Sequence, residues 1–197
     1  MCSGPIRRQT AIFAGGEYSN MSQSEMASGI LTPPNKFPSK GYLLRDFTLA
    51  TSNGRHISVS DYRGRLNLVL ILTDGGNESS ALLTDLARHY PEVKEQEAEV
   101  LALVQPIEKQ SSTIEQHTRM PFPVLVDHEN RLHHSLGATD AQGHPCAAAY
   151  ITDRYAEVFA VYRRRDTQNL PKTKEILDWL EFINIQCPEC EPPEWPA

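Results

Sequence analysis

The chain has 197 residues, 40% of them hydrophobic, which is enough for one medium-sized domain with a buried core and some additional chain. A net charge of -6 and an isoelectric point near 5.6 provide no basic surface for nucleic acid, so we expect no nucleic-acid partner. No apolar run reaches the length of a membrane span or a signal-peptide core. Together with the presence of only four cysteines, this predicts a cytoplasmic protein.

The first 40 residues are rich in Ser, Gly, Pro and Asn and lack any sustained hydrophobic period, which predicts a disordered leader. The residue composition and hydrophobic pattern change at Gly41, where the predicted domain of residues 41–185 begins. Asp46–Ala50 alternates like a short strand, and His56–Val59 is the predicted returning strand. Asn53-Gly54 between them has the positive φ preference of a tight turn, so we expect an amino-terminal β-hairpin.

The next stretch predicts a βαβ unit. Leu66–Leu72 is an almost continuous apolar run, as expected of a strand that is covered on both faces. The polar turn Thr73–Glu78 follows. A helix is predicted to begin at Ser79 or Ser80, and its apolar periodicity continues through Leu83, Leu86, Ala87 and Tyr90. A second buried strand, Ala98–Val104, then lies parallel to the first.

The remaining elements are shorter. The predictions are a short helix from Ser112, a strand at Val124–Asp127, a helical turn at His128–Leu136 ended by Gly137, strands at Ala147–Thr152 and Glu157–Tyr162, and a last helix at Pro171–Asn184. The short joint between the last two strands makes them an antiparallel hairpin. Residues 186–197 form a Cys- and Pro-rich tail in which four prolines exclude a continued helix.

Six strings stand out along the chain, namely Asp46–Leu49, Val59–Gly64, Asn67–Leu72, Pro121–Asp127, Leu136-Gly137 and Tyr150–Arg154. In this order and spacing they resemble the redoxin or AhpC/TSA family, the peroxiredoxins and their relatives. The resemblance implies an α/β fold, a thioredoxin-like three-layer sandwich with a central mixed sheet between helices. It also implies thiol redox or antioxidant chemistry, thioredoxin or another thiol reductant as partner, no cofactor, and a homodimer.

The resemblance also implies a reactive cysteine at the start of the first helix, and this chain has none there. Gly76 and Ser79 fall where the two cysteines of a Cys-x-x-Cys pair would lie, so the turn is a degenerate active-site turn. The family's strand arginine is replaced by Ala147 or Ala148. A serine hydroxyl cannot supply a thiolate, and a helix dipole shifts a pKa by only about one unit. The standard peroxidatic mechanism is therefore unavailable at this turn.

Cys187-Pro188-Glu189-Cys190 in the tail is the strongest remaining chemical motif. Two thiols separated by two residues can close a disulfide or share a metal, but they can equally remain reduced in a tail that packs on the domain. A zinc site needs about four ligands, so Cys146, a histidine or a second subunit would have to complete it. We therefore keep three alternatives, namely a candidate redox dithiol, half of a metal site, and a structural tail.

His144-Pro145-Cys146 lies where thioredoxin-like folds often place a cis-proline beside the active site. Pro145 is therefore the candidate cis-proline, and Cys146 is either a relocated nucleophile or a small buried residue before a strand. The histidines show no His-x-x-x-His pair and are interpreted as surface residues. The basic run Arg163–Arg165 is interpreted as a solvated strand end.

Two classes of function follow. The first is a thiol redox protein that works through Cys187 and Cys190, with a weaker contribution from Cys146. The second is a non-catalytic thioredoxin-fold module that binds a protein partner. They differ in whether any thiol cycles with a thiol reductant.

Overall fold

A computed structural model describes residues 37–51, 53–105, 120–164 and 169–186. Its strands are β1 (Thr48–Ala50), β2 (His56–Ser58), β3 (Asn67–Leu72), β4 (Ala98–Val104), β5 (Val124–Val126), β6 (Ala148–Thr152) and β7 (Val158–Arg163). Its helices are α1 (Asn77–Arg88), α2 (Tyr90–Glu95), α3 (Arg131–Ser135) and α4 (Thr173–Asn184), with 3-10 turns at Val59–Asp61 and His128–Asn130. No helix within these ranges is long and apolar enough to cross a bilayer.

The main sheet has five strands in the order β5-β4-β3-β6-β7. Strand β3 runs parallel to β4 and antiparallel to β6, and the β6–β7 pair is antiparallel. The hairpin β1–β2 forms a separate two-stranded sheet. The predicted mixed sheet, the βαβ unit and both hairpins are therefore confirmed.

The core lies on both faces of the sheet, because β3 and β4 are buried along their whole length. One face packs against α1, α2 and α4 through alternate strand residues such as Val69 and Ile71. The other face holds Leu68, Leu70 and Tyr150 beneath the hairpin and α3. This is the three-layer arrangement that a fully apolar central strand requires.

Two element boundaries differ from the sequence prediction. Helix α1 begins at Asn77 rather than at Ser79 or Ser80, because Gly76 is its N-cap and the preceding turn closes two residues earlier. The periodic stretch that was predicted to continue to Tyr90 breaks at His89, where α2 starts as a separate short helix. The short helix predicted from Ser112 lies outside the described residues.

A segment ahead of the hairpin packs along the outside of β7. The Gly41 N–H donates to the Val158 carbonyl at 2.8 Å, and the Val158 N–H donates to the Tyr42 carbonyl at 2.9 Å. Phe37 is also part of this segment, since its ring lies over the Arg163 guanidinium. Residues 37–40, which the sequence assigns to the leader, therefore contact the domain, while residues 1–36 lie outside the described residues.

Helix α4 spans the domain from one end of β3 to the other. Near its start, the Leu170 N–H donates to the Glu78 carboxylate at 3.0 Å, beside the turn that follows β3. Near its end, the Asn67 amide at the start of β3 donates to the Asn184 side chain at 2.7 Å. The residue that leads into the tail, Gln186, therefore lies at the pole opposite the turn.

Candidate functional site

The turn after β3 is closed by the Asp74 carboxylate. Asp74 Oδ1 accepts the Gly76 N–H at 2.9 Å and the Ser79 hydroxyl at 2.9 Å. Gly75 adopts a φ of 75°, a left-handed conformation that favours glycine and lets the chain reverse here. Ser79 is fully buried, so its hydroxyl is enclosed beneath the turn rather than presented to a ligand.

Arg164, the residue directly after β7, completes this cluster. Arg164 Nη1 lies 3.3 Å from Asp74 Oδ2 and 3.5 Å from Glu78 Oε2, while its backbone N–H donates to the Ala147 carbonyl. Burial alone would raise the pKa of Asp74, but the Gly76 N–H, the Ser79 hydroxyl and the Arg164 charge outweigh it and lower that pKa. Asp74 is therefore a carboxylate at neutral pH, held at the amino end of α1.

The position of this carboxylate bears on the predicted Gly76 and Ser79 pair. A Cβ placed on Gly76 would lie 2.9 Å from Asp74 Oδ1, so any larger side chain would require Asp74 to move. The partial positive charge at the amino end of α1, which would favour a thiolate, instead faces an acid from the same turn. Gly76 and Ser79 therefore share one acceptor, the Asp74 carboxylate, and neither residue supplies a thiol.

A buried histidine supports the turn from below. His133 Nδ1 lies 2.6 Å from Asp127 Oδ2, and His133 Nε2 lies 3.0 Å from the Thr73 carbonyl oxygen. Both ring partners accept hydrogen bonds, so a doubly protonated imidazolium satisfies both. Burial alone would raise the pKa of Asp127, but the His133 ring and the N–H groups of His133 and Leu132 outweigh it and lower that pKa. This ion pair ties the ends of β3 and β5 to α3.

These contacts correct two interpretations made from the sequence. His133 is fully buried, so the interpretation of the histidines as surface residues is wrong for this one. Arg164 is half-exposed but makes ion pairs with the turn, so a merely solvated strand end does not describe it. The Arg163 side chain donates to the Pro38 carbonyl at 2.7 Å, and Arg165 lies outside the described residues.

The proline beside Cys146 is not the cis-proline that the sequence suggested. All peptide bonds within the described ranges are trans, Pro145 included. Residues 138–146 instead form a small antiparallel pair, in which the Cys146 N–H donates to the Ala138 carbonyl at 2.8 Å. Cys146 itself is half-buried, and its Sγ lies 3.9 Å from the His144 carbonyl oxygen.

The two tail cysteines, Cys187 and Cys190, lie outside the described residues. Their approach to the turn is still limited by the chain. Strand β3 alone separates the poles by about 17 Å, and the turn lies beyond its far end. The chain from Gln186 to Cys190 spans at most about 14 Å when fully extended. Among the described residues, no three His, Cys, Asp or Glu side chains are grouped to hold a metal ion.

A groove of about 840 Å³ lies beside the turn, between α1 and the start of α4. Its walls are apolar at Leu82, Leu170 and Leu177. The carboxylates on its rim are those of Glu78, Asp85 and Glu92, and the ammonium groups are those of Lys172 and Lys174. The groove can accommodate part of a peptide or a small ligand.

Sequence reasoning missed Arg164 and His133 because neither acts near its own place in the chain. Arg164 meets Asp74 across 90 residues, and His133 meets Thr73 across 60. The spacing of Asp127 and His133 carried a weak signal, since an acid that ends a strand often caps the helix that follows it. For Arg164, the sequence contains no local pattern that distinguishes it from its neighbours.

Comparison with known proteins places this geometry in context. A profile of the AhpC/TSA family matches residues 41–161. The solved structure of peroxidoxin BcpB from Mycobacterium tuberculosis superposes with a TM-score of 0.63 at 18% identity, covering 76% of this chain and 99% of that one. Enterococcus faecalis AhpC gives a TM-score of 0.63 at 16% identity, covering 82% and 100%. The reduced Plasmodium vivax 2-Cys peroxiredoxin gives 0.60 at 11%, covering 74% and 96%. No functionally curated protein matches the sequence.

Proposed function

Because the chain belongs to the AhpC/TSA family, we propose that it takes part in thiol redox chemistry through the Cys187 and Cys190 dithiol instead of the first-helix turn. The observation that carries this proposal is the closed turn. Ser79 is buried beneath an Asp74 carboxylate that pairs with Arg164, and neither Gly76 nor Ser79 supplies a thiol at this turn. The dithiol is the one pair of cysteines in the sequence with disulfide-forming spacing.

The proposed reaction balances without a cofactor. The thiolate of one tail cysteine attacks the distal oxygen of a hydroperoxide, which leaves a sulfenic acid and releases an alcohol or water. The second thiol then attacks the sulfenic sulfur, forming the Cys187–Cys190 disulfide and releasing water. An external dithiol of the thioredoxin type reduces this disulfide by exchange and becomes oxidised itself. Because the pair follows the negative end of α4, its thiolates are not stabilised by the helix, so we expect slow turnover.

The test is hydrogen-peroxide consumption coupled to a thioredoxin recycling system. We expect turnover in the natural chain, loss of turnover in Cys187→Ser, and retention in Cys146→Ser, the matched control in the same domain. Turnover that survives Cys187→Ser but not Cys146→Ser would reject the tail dithiol in favour of Cys146. A homodimer, suggested by the family resemblance, would appear as a doubled mass in sedimentation equilibrium.

A second function, a non-catalytic module that binds a protein partner, is favoured by the same closed turn and by the groove beside it. The groove offers an apolar floor and a charged rim next to a site that holds no nucleophile. Absence of turnover in all three chains, with every thiol reacting at the rate of a free cysteine, would support this module. Stoichiometric zinc in the purified protein would instead support a metal-binding tail.

A further inference from the structure

The outer face of α4 carries an apolar stripe that no described residue covers. Trp179, Phe182 and Ile185 follow one another at a spacing of three residues, which places them on one side of the helix. Phe182 is 41% exposed and Ile185 is 75% exposed, and these are two of the three large hydrophobic side chains that the described residues expose. The stripe leads directly to the end of the helix, where the tail begins.

The stripe is built as an aromatic surface. The rings of Trp179 and Phe182 meet edge to face at 5.8 Å, and Phe182 meets Phe159 of β7 at 6.5 Å. The Trp179 indole N–H donates to the Tyr162 hydroxyl at 2.8 Å, which fixes the orientation of the indole. A groove of about 300 Å³ lies over Trp179 and Phe182, with Lys40 at its edge. Fixed aromatic rings around a shallow groove are the surface that polyproline segments recognise.

The charges around the groove favour an acidic occupant. Lys40 makes no ion pair with any described residue and is the only basic residue that lines the groove. Of the two acids that line the groove, Asp178 is paired with the Lys174 ammonium at 2.7 Å, and Glu175 accepts a hydrogen bond from the Tyr162 hydroxyl at 2.7 Å but keeps its charge. A glutamate that reaches Lys40 would therefore complete the electrostatics of the groove.

The segment that follows α4 has the matching chemistry. Residues 187–196 contain four prolines, three glutamates and Trp195, a composition that favours an extended polyproline conformation. We propose that this segment folds back along α4 and lays its proline rings and Trp195 on the Trp179, Phe182 and Ile185 stripe, with a glutamate at Lys40. This inference does not rest on redox activity of the dithiol.

The reach of the chain agrees with this arrangement. From Ile185 back to Glu175 the helix measures about 15 Å. The nine residues 187–195 span about 28 Å in a polyproline conformation, which is enough to reverse and cover the stripe. The occupant is attached to the edge of the stripe, so its effective concentration there is high, in the millimolar range for a short linker.

The experiment uses the full chain with its four cysteines replaced by serine and a nitroxide spin label on a cysteine introduced by Ala197→Cys. We expect the label to broaden the backbone NMR signals of Glu175–Trp179 and of Lys40. Lys40→Glu and Phe182→Ser should each reduce this broadening several-fold. Arg55→Glu, the same charge reversal on the exposed turn of the β1–β2 hairpin, should leave it unchanged. Native signals from β3 and β4 verify that each variant is folded.

Two results would overturn the inference. Broadening limited to the carboxyl end of α4, and unaffected by Lys40→Glu or Phe182→Ser, would show a tail that does not dock. In a mixture of spin-labelled chains with separate isotope-labelled chains, broadening of the isotope-labelled copy would show that a second molecule supplies the occupant. Because no cysteine but the label site is present, neither result bears on the redox proposal, which the peroxide assay tests separately.

Discussion

At the scale of single residues, the strongest constraint on the turn is the buried pair of His133 and Asp127. Both side chains are excluded from solvent, and the imidazole joins the Thr73 carbonyl to the Asp127 carboxylate. A buried charge that loses its partner destabilises a protein by about 3–5 kcal/mol, whereas an exposed pair contributes about 0–1 kcal/mol. This contrast supplies a direct test.

We expect Asp127→Asn to lower the free energy of unfolding at pH 7 by about 3 kcal/mol, because it removes a buried carboxylate that accepts hydrogen bonds from the His133 ring and from the Leu132 and His133 N–H groups. Asp140→Asn is the matched control, since Asp140 pairs with His144 at 3.1 Å on the exposed surface. Its effect should stay below about 1 kcal/mol. Urea denaturation of the natural chain and the two variants measures both changes in the free energy of unfolding. Equal losses in the two variants would show that the buried pair stabilises the fold no more than the exposed pair does.

The same carboxylate predicts how stability depends on pH. The folded pKa of Asp127 lies below its unfolded value of about 3.9, so its contribution is complete above that value and is lost as the pH falls through the folded pKa. We therefore expect the free energy of unfolding to fall as the pH drops below about 4, and to fall less steeply in Asp127→Asn. Parallel pH profiles of the two chains would contradict the assignment.

The Asp74 carboxylate predicts the behaviour of a cysteine placed in the turn. In a Ser79→Cys variant the thiol would be buried and next to a negative charge, and both effects raise its pKa. Replacing Asp74 by Asn in the same chain should lower the thiol pKa by about one unit. Thiolate absorbance measured against pH checks this shift. An unchanged titration curve would mean that the Asp74 charge does not affect the pKa of a thiol at residue 79.

At the scale of the elements, the segment ahead of the hairpin depends on a glycine after α3. Gly137 has a φ of 73°, and the Phe37 ring occupies the space where its Cβ would lie. The Arg163 guanidinium lies over the same ring and donates to the Pro38 carbonyl. Glycine is therefore favoured at position 137 for two reasons, namely the positive φ angle and the close approach of the Phe37 ring.

We expect Gly137→Ala to cost more stability than Gly143→Ala. Gly143 has a φ of 85° but open space around its Cβ position, so its substitution carries only the backbone strain of about 1 kcal/mol. Gly137→Ala adds the displacement of Phe37, for a total of about 2–3 kcal/mol. Thermal unfolding of both variants, with and without Phe37→Ala, measures the difference, which should vanish when the ring is absent.

The elements also show what the sequence could and could not predict. Strands β3 and β4 were predictable because a continuous apolar run has one stable location, inside the sheet. The start of α1 was misplaced because Asp74 closes the turn with its side chain, a local contact that competes with any periodic pattern. Arg164 and His133 were misread because their partners lie far away in the sequence, where only the folded topology brings them together.

At the scale of the whole molecule, the Ser79 turn and Gln186, the last described residue before the tail, lie at opposite poles. Helix α4 begins beside Glu78 and ends beside Asn67, so its 12 residues carry the chain the full length of β3. We therefore expect any thiol chemistry of Cys187 to take place away from the Ser79 turn within one chain. The turn and the dithiol are separate features of this molecule, and activity at one does not imply activity at the other.

The separation predicts which disulfides can form within one chain. In a Ser79→Cys variant, no disulfide to Cys187 should appear at low protein concentration. The Cα of Cys187 lies about 4 Å from that of Gln186, and a disulfide joins Cα atoms about 6 Å apart, so this cysteine cannot cross the roughly 17 Å length of β3. Gln96→Cys is the positive control, since the Asn184 side chain donates to the Gln96 carbonyl at 2.9 Å beside the start of the tail. Mass spectrometry of oxidised monomers distinguishes the two chains. If the Ser79→Cys chain formed a disulfide as readily as the Gln96→Cys chain, a large rearrangement would have to bring the tail cysteines to the turn. The tail dithiol would then again be a candidate partner for the turn.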